Sequence, residues 1–374
     1  MLKLPGSLTA KKFLDRHWQK EPLLMPQAMN RVRPAVTRNE LGWLATLDDV
    51  ESRLVFTERD GDRVRYSADT GPFDADYLVS LPKRDWTLLV HDLEKHLPAM
   101  RKLFSSVPFI PDWRIDDLMV SFAAPGGGVG PHRDNYDVFL CQGIGVREWH
   151  VASDTVADDP GASDDLALTA PFDGLTHSVR EGDVLYLPPG VAHWGTATRA
   201  CITYSIGMRS PQLSDLLVEL PDTEQVNPFY TDPDLAVGES VAGFIAPETI
   251  NRALRLAGRP EQARHSVAEA LGRYVTQTKD WITPDEASEE ETEAILKSVA
   301  RGARLSVHGM ARIAWDQRNI YVNGACRRRP ESESAWLESL CAERGFAGEP
   351  SLSAERAECL IWMLKQGAFD LPEN

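Results

Sequence analysis

Cysteine is scarce in this chain of 374 residues, and the five present, Cys141, Cys201, Cys326, Cys341 and Cys359, form no C-x2-C pair. An odd, scattered set excludes a disulfide framework, argues against structural zinc and fits a reducing cytoplasm. Long apolar runs are missing too, so no membrane span is expected. The opening MLKLPGSLTAKKFLDRHW is too polar for a signal peptide, and a cytoplasmic location follows as the expectation. Positive charge is in deficit: 40 Lys and Arg stand against 56 Asp and Glu, a net charge of −16. Repulsion from phosphate disfavours strong or sequence-specific nucleic-acid binding, and a basic partner fits the acidic surface better. The glycine run Gly126 to Gly128 is not followed by GK[ST], and a strand rather than a helix follows, which excludes a phosphate cradle. No internal repeat is evident.

What is present is concentrated in two segments. GGGVGPHRD, Gly126 to Asp134, carries His132 and Asp134 two residues apart, so both point the same way if the segment is an extended strand. GDVLYLPPGVAH, ending at His193, has the order G-x5-P-x-G-x2-H, with the apolar run Val184 to Leu187 reading as a buried strand before a turn. A His-x-Asp pair alone is expected by chance about once in a chain of this composition. The glycine-proline turn before His193 makes the pair of segments specific. Two histidines and one carboxylate are the ligand set of a non-haem ferrous oxygenase. The paired segments resemble the two metal-binding segments of the cupin and JmjC double-stranded β-helix, a jelly-roll barrel. His150 and His177 read as ordinary strand imidazoles. His17, His91, His96, His265 and His308 have no partner spacing and are assigned no chemistry.

Three protein ligands leave positions on iron for a bidentate 2-oxoacid and dioxygen. The far carboxylate of 2-oxoglutarate then needs a cation inside the barrel. Arg147, in GIGVREWHV, shares a strand face with Trp149 and is the candidate, because a planar guanidinium grips a carboxylate with two hydrogen bonds. The alternative, Arg147 outward and an unpartnered Glu148 inward, is costlier. Ser121, Thr203 and Ser205 are candidate hydroxyl contacts to the same carboxylate, with a merely satisfied hydroxyl equally open for each. Asp117, sharing parity with Ser121, is a candidate to meet a substrate guanidinium or else a solvated loop carboxylate. Tyr136 has the parity of the iron ligands and reads as a lining residue or a structural tyrosine.

The block DDLMVSFAAPGGGVGPHRDNYDVFLCQGIGVREWHV, with WTLLVHDLEKHLP ahead of it and RIAWDQRNIYVNG near the end, resembles bacterial ribosomal oxygenases of the JmjC type. These are the arginine hydroxylases that act on large-subunit ribosomal protein sixteen, and the resemblance covers most of the chain. It implies an Fe(II)- and 2-oxoglutarate-dependent protein hydroxylase using dioxygen, with a basic ribosomal protein as substrate. On the matching positions it places His132, Asp134 and His193 at the iron, Arg147 at the cosubstrate carboxylate and Ser121 in support. The sequence departs from the family pattern at Arg133, between the first two ligands, where a small or apolar residue is usual. Rival readings are a histidine hydroxylase or lysine demethylase of the same family, a catalytically inactive winged-helix scaffold, and a cupin metal isomerase with no cosubstrate.

The fold expected is α+β, with a jelly-roll barrel and N-terminal helices over residues 1–210. A helical region over 211–283 and a winged-helix-like domain over 284–374 follow. SLTAKKFLDRHWQKEPLL and NELGWLATL read as amphipathic helices opened by Ser7, Thr9 or Asn39. SRLVFTER and DRVRYSAD read as strands about the turn at Asp60-Gly61-Asp62. HDLEKHLPAMRKLF reads as one helix, and Ser153 to Phe172 as a flexible insert, either a lid or a plain loop. After Pro211 a helical period appears in LSDLLVELPD, PETINRALRLAG and EQARHSVAEALGRYVTQ. Its apolar stripes, together with the dimerisation the resemblance implies for this region, lead to the expectation of a homodimer. The acidic run Asp285 to Glu293 suits a helix N-terminus. Arg327 to Arg329 read as a basic wing or a solvated loop.

Overall fold

A computed structural model of the chain describes residues 2–29, 35–61, 63–159, 168–217, 227–279 and 284–370. The chain divides into two compact units, Met1–Pro108 with Ile115–Met208, and Phe109–Arg114 with Arg209–Asn374. Among the described residues, no helix is long and apolar enough to cross a membrane.

The first unit contains eleven strands among its described residues: β1 (Leu23–Met25), β2 (Ser52–Asp60), β3 (Arg63–Thr70), β4 (Trp86–Val90), β5 (Ile115–Ala123), β6 (Val138–Ile144), β7 (Val146–Ala152), β8 (Gly174–Arg180), β9 (Val184–Leu187), β10 (His193–Ala197) and β11 (Cys201–Met208). They form an eight-stranded sheet, β1-β9-β6-β11-β5-β4-β2-β3, and a three-stranded sheet, β10-β7-β8. Every pairing is antiparallel.

Because strand side chains alternate, register alone defines the inner face. On the large sheet, Thr203 pairs with Ser121 and Gln142, Ser205 with Met119 and Leu140, and Gly207 with Asp117 and Val138. On the small sheet, Arg147 stands between Val179 and Ala197, Trp149 between His177 and Gly195, and Val151 between Leu175 and His193. Val138, Leu140, Leu185 and Leu187 from the large sheet pack with Trp149, Val151 and Val179 from the small one in a single cluster. The two sheets are therefore the walls of a jelly-roll barrel. Each fully buried side chain of this size contributes about 1.5–3 kcal/mol, and Leu140→Ala would cost about 2–5 kcal/mol by leaving a cavity.

The outer face of the large sheet is covered by the N-terminal residues. Phe13 lies edge-on to Tyr186 with ring centroids 5.0 Å apart, and Trp18 stacks on it at 6.1 Å. The Tyr186 hydroxyl donates to Asp137 at 2.5 Å and accepts from the Gln19 amide at 2.8 Å.

Several local expectations are corrected here. The first helix, Ala10–Arg16, is shorter than expected but is capped by Thr9, one of the expected openers, whose hydroxyl accepts from Lys12 N at 3.2 Å. The second, Arg38–Leu44, is capped by Thr37 in a box with Glu40, not by Asn39. Leu23–Met25 is an edge strand, not helix; Gln19 in the left-handed region at φ 54° ends the preceding turn. HDLEKHLPAMRKLF is split: Leu93–His96 is a short α-helix and Pro98–Ser106 is 3₁₀. Leu97 sits at φ −124°, ψ 81°, since a residue before proline is driven out of the helical region. Of LSDLLVELPD, Leu213–Leu216 is helical and the rest lies largely outside the described residues.

In the second unit the helices Pro247–Leu256 and Arg264–Thr276 form as their periodicity predicts. Their apolar stripes, Ile250, Ala253 and Leu254, then Val267, Leu271 and Val275, share one core with Ala314 and Tyr321. The stripes are thus covered within the chain and do not by themselves argue for a second copy. Glu289–Val299 is capped by Ser288 in a box with Glu291, inside the acidic run. RIAWDQRNIYVNG supplies the hairpin Ile313–Trp315 and Asn319–Val322, extended by Ala325–Arg328. Arg327 and Arg328 pair with Glu358 and Glu331, while Arg329 binds Ser334 and lies over the Trp315 ring.

Candidate metal centre

The two sequence segments meet through the backbone before their side chains do. His132 N–H donates to His193 O at 3.0 Å and His193 N–H returns to His132 O at 2.8 Å, while Gly190 N–H donates to Asp134 O at 2.8 Å. The first segment is therefore an isolated bridge to the start of β10 rather than the extended strand its spacing suggested. The glycine run before it crosses the same strand closely. A Cβ on Gly128 would lie 2.6 Å from Gly195 O, so any larger residue would push the segment off β10.

One ligand atom from each of His132, Asp134 and His193 lies within 4.8 Å of the others. The histidine rings are 4.3 Å apart between centroids, and His193 Nε2 is 3.6 Å from Asp134 Oδ2. Both rings are oriented the same way: Nδ1 of His132 meets Gly130 O, and Nδ1 of His193 meets Val191 O, each at 2.9 Å. A carbonyl can only accept, so Nδ1 carries the proton in each ring and Nε2 is left with a lone pair. Burial, with His132 beside it, pushes the His193 imidazole down to about 4, against the opposing pull of Asp134. At neutral pH His193 is uncharged, as a metal ligand must be.

Arg147 faces the barrel interior and is 4% exposed, while the Glu148 side chain is turned out toward His150. Its Nε and Nη2 are buried with no hydrogen-bond partner among the described residues. Its guanidinium carbon lies 5.5 Å from the Trp149 ring centroid, and Trp149 in turn lies 5.7 Å from the His193 ring. Gly195 makes the room: a Cβ there would stand 2.8 Å from the Trp149 ring and 2.9 Å from Arg147 Cδ. Buried donors aimed into a barrel want an acceptor, and a carboxylate satisfies two of them at once. A dicarboxylate that reaches from the His-Asp-His group to Arg147 fits this donor set.

Ser121 and Thr203 occupy the same inner rung and are buried. The Thr203 hydroxyl donates to Gln142 Oε1 at 3.1 Å. Ser205 lies on the next rung, also buried. Tyr136 is 40% exposed. Its phenol is hydrogen-bonded to Asp134, and the charge of Asp134, then burial, then Asp117 and Asp116 hold it well above the usual tyrosine range. Asp117 shares the inner face, opposite Gly207.

Sequence reasoning missed two features. His91 pairs with Asp117, Nδ1 to Oδ2 at 3.3 Å; its parity with Leu89 on the buried strand was the available signal. Arg133, where the sequence departs from the family pattern, holds Val156 O at 2.9 Å and the Asp158 carboxylate. The insert is anchored at both ends as well, through bridges Asp158 to Thr169 and His132 to Leu168; its residues 160–167 lie outside the described residues. His150 stacks on Trp194 at 3.9 Å.

Comparison with known proteins gives two family matches: a JmjC domain over residues 102–216 and a ROXA-like winged helix over residues 257–369. The ribosomal protein uL16 3-hydroxylase of Escherichia coli K12 is 33% identical over 323 residues, 83% of either chain. A probable ribosomal oxygenase of Haemophilus influenzae is 32% identical over 364 residues, 90% of this chain and 84% of that one. Among solved structures, E. coli YcfD superposes with a TM-score of 0.75 at 27% identity, covering 99% of this chain and 100% of that one. The same ribosomal oxygenase in complex with cobalt and 2-oxoglutarate gives 0.72 at 26% identity, with both chains fully covered.

Proposed function

The chain belongs to the JmjC ribosomal oxygenases, and from that premise we propose that it hydroxylates an arginine side chain of a large-subunit ribosomal protein. It is a 2-oxoglutarate-dependent oxygenase that uses Fe(II) and dioxygen. His132, Asp134 and His193 hold the metal, Arg147 holds the far carboxylate of 2-oxoglutarate, and Ser121 and Thr203 line the same pocket. When bound, these cofactors supply the oxidising power that puts one oxygen atom into an unactivated C–H bond as the 2-oxoacid becomes succinate and carbon dioxide.

The chain's own residues do the rest. The carbonyls of Gly130 and Val191 fix both imidazoles so that Nε2 faces inward. Trp149 neighbours both the Arg147 guanidinium and the His193 ring and gives the pocket an apolar side. At the opening, the Tyr136 ring and the carboxylate of Asp117 receive a guanidinium by stacking and charge. The net charge of −16 draws a basic ribosomal protein toward the barrel. The protein acts as a homodimer, a reading that rests on the family likeness and that light scattering would test.

The single observation that carries the proposal is the buried edge of Arg147, without a hydrogen-bond partner among the described residues, inside the barrel that holds the His-Asp-His group. A metal isomerase without cosubstrate gives that cation no task. The test is mass spectrometry of ribosomal-protein peptides incubated with the enzyme, Fe(II), 2-oxoglutarate and air, with His132→Ala as control. One added oxygen on an arginine, absent in the control, is expected. Oxygen on histidine, or loss of a lysine methyl, would replace the arginine reading, and no succinate with any peptide would overturn the oxygenase reading.

A further inference from the structure

β4 ends at Val90, opposite Val120 of β5, with Leu89 opposite Ser121 on the inner face. His91 is the next residue of inner-face parity, at the point where the strand leaves the sheet. Its main chain is fixed, since its N–H donates to Glu51 O at 2.9 Å. Its ring Nδ1 lies 3.3 Å from Asp117 Oδ2, with the side chains 29% and 16% exposed. The other oxygen, Oδ1, lies over Gly207, where a Cβ would come within 3.0 Å of it. The Tyr136 ring borders the same glycine, its Cε2 at 3.8 Å from that Cβ position.

Asp117 stands among other carboxyl groups. Behind it, the buried Glu94 accepts from Leu118 N–H at 2.9 Å. Asp134 and Asp116 act together with Asp117 on the Tyr136 phenol. A ring nitrogen that donates to one oxygen selects one orientation and leaves the other oxygen for an incoming cation.

We infer that His91 is a positioning residue for the substrate: its Nδ1–H holds Asp117 Oδ2, so that Oδ1 is presented over Gly207 to the guanidinium of the target arginine. The inference rests on the arginine-hydroxylase reading and deepens it. His91 touches neither cosubstrate nor reacting carbon, so its loss acts on peptide binding. His91→Ala is expected to raise the peptide KM about tenfold, the scale of one charge-assisted hydrogen bond. The kcat at saturating peptide and the KM for 2-oxoglutarate move less than about twofold. His91→Asn, whose amide nitrogen occupies the place of Nδ1, restores most of the peptide KM. In an Asp117→Asn background, His91→Ala adds nothing further.

A wild type that hydroxylates arginine while His91→Ala leaves peptide KM unchanged overturns this inference alone. So does a variant in which kcat, both KM values and Tm fall together without rescue by Asn, since that marks a merely structural histidine. Absence of arginine hydroxylation by the wild type overturns the parent reading, and this one with it.

Discussion

Glu94 offers a quantitative test of how the barrel wall behind Asp117 is built. The side chain is 1% exposed and keeps one hydrogen bond, from Leu118 N–H at 2.9 Å. Burial first, then the charges of Asp117 and Asp92, push its carboxyl from an ordinary 4.5 to about 7, against the opposing Lys95 and the Leu118 bond. Below pH 4.5 the group is protonated in both folded and unfolded chains and costs nothing. Between 4.5 and about 7 the folded chain holds a proton that the unfolded chain has released, so stability falls as pH rises; above about 7 the loss is complete and constant. At roughly 1.4 kcal/mol per pH unit, that span amounts to about 3 kcal/mol. Glu94→Gln stays neutral throughout and keeps an oxygen for Leu118. Calorimetry should therefore find the variant's barrel transition higher than wild type at pH 8 by roughly 6–10 °C, with the gap closing toward pH 4.5. An equal offset at both pH values, or a wild type that is the more stable at pH 8, would refute the reasoning.

Arg147→Ala should raise the KM for 2-oxoglutarate about a hundredfold, the worth of a bidentate charge-assisted contact, in an assay of succinate release; an unchanged value would show that another group holds the far carboxylate. Gly195→Ala places a methyl within 2.8 Å of Trp149 and 2.9 Å of Arg147 Cδ, so calorimetric titration should show 2-oxoglutarate binding weakened about tenfold or more with metal binding retained. His193→Ala removes the ligand at the head of β10, and Mn(II) titration followed by electron paramagnetic resonance should find tight binding gone. Chelator should lower the Tm of metal-loaded wild type and leave that of His193→Ala unmoved.

The parts of the site that were legible in the sequence are those fixed by local spacing. The G-x5-P-x-G-x2-H turn, the inward parity of Arg147 with Trp149, and the helical periods after Pro211 are properties of segments a dozen residues long. What was not legible depends on register between distant strands. His91 and Asp117 are joined only because β4 and β5 pair with Leu89 opposite Ser121, a fact no spacing records. Pro98 was visible, yet the helical period on both sides of it concealed the break at Leu97. The anchoring of the insert by Arg133 was hidden for the same reason as His91, since Asp158 is remote in sequence and brought near by a bridge.

Backbone geometry also explains why the His-Asp-His group and Arg147 are held independently of one another. His132 and Asp134 are tied to β10 and the turn before it by three main-chain hydrogen bonds, which truncation of a ligand side chain leaves in place. Arg147 is set by the β7 register with β8 and β10 and by the space above Gly195. A side-chain change at one end should therefore leave the other end's geometry intact. Arg147→Ala is expected to keep the metal affinity of the wild type, and His193→Ala to keep a folded barrel with the Trp149 packing largely retained. If Arg147→Ala lost metal in a Mn(II) titration while remaining folded, the two ends would be coupled through Trp149, and the division of labour argued from the backbone would be wrong.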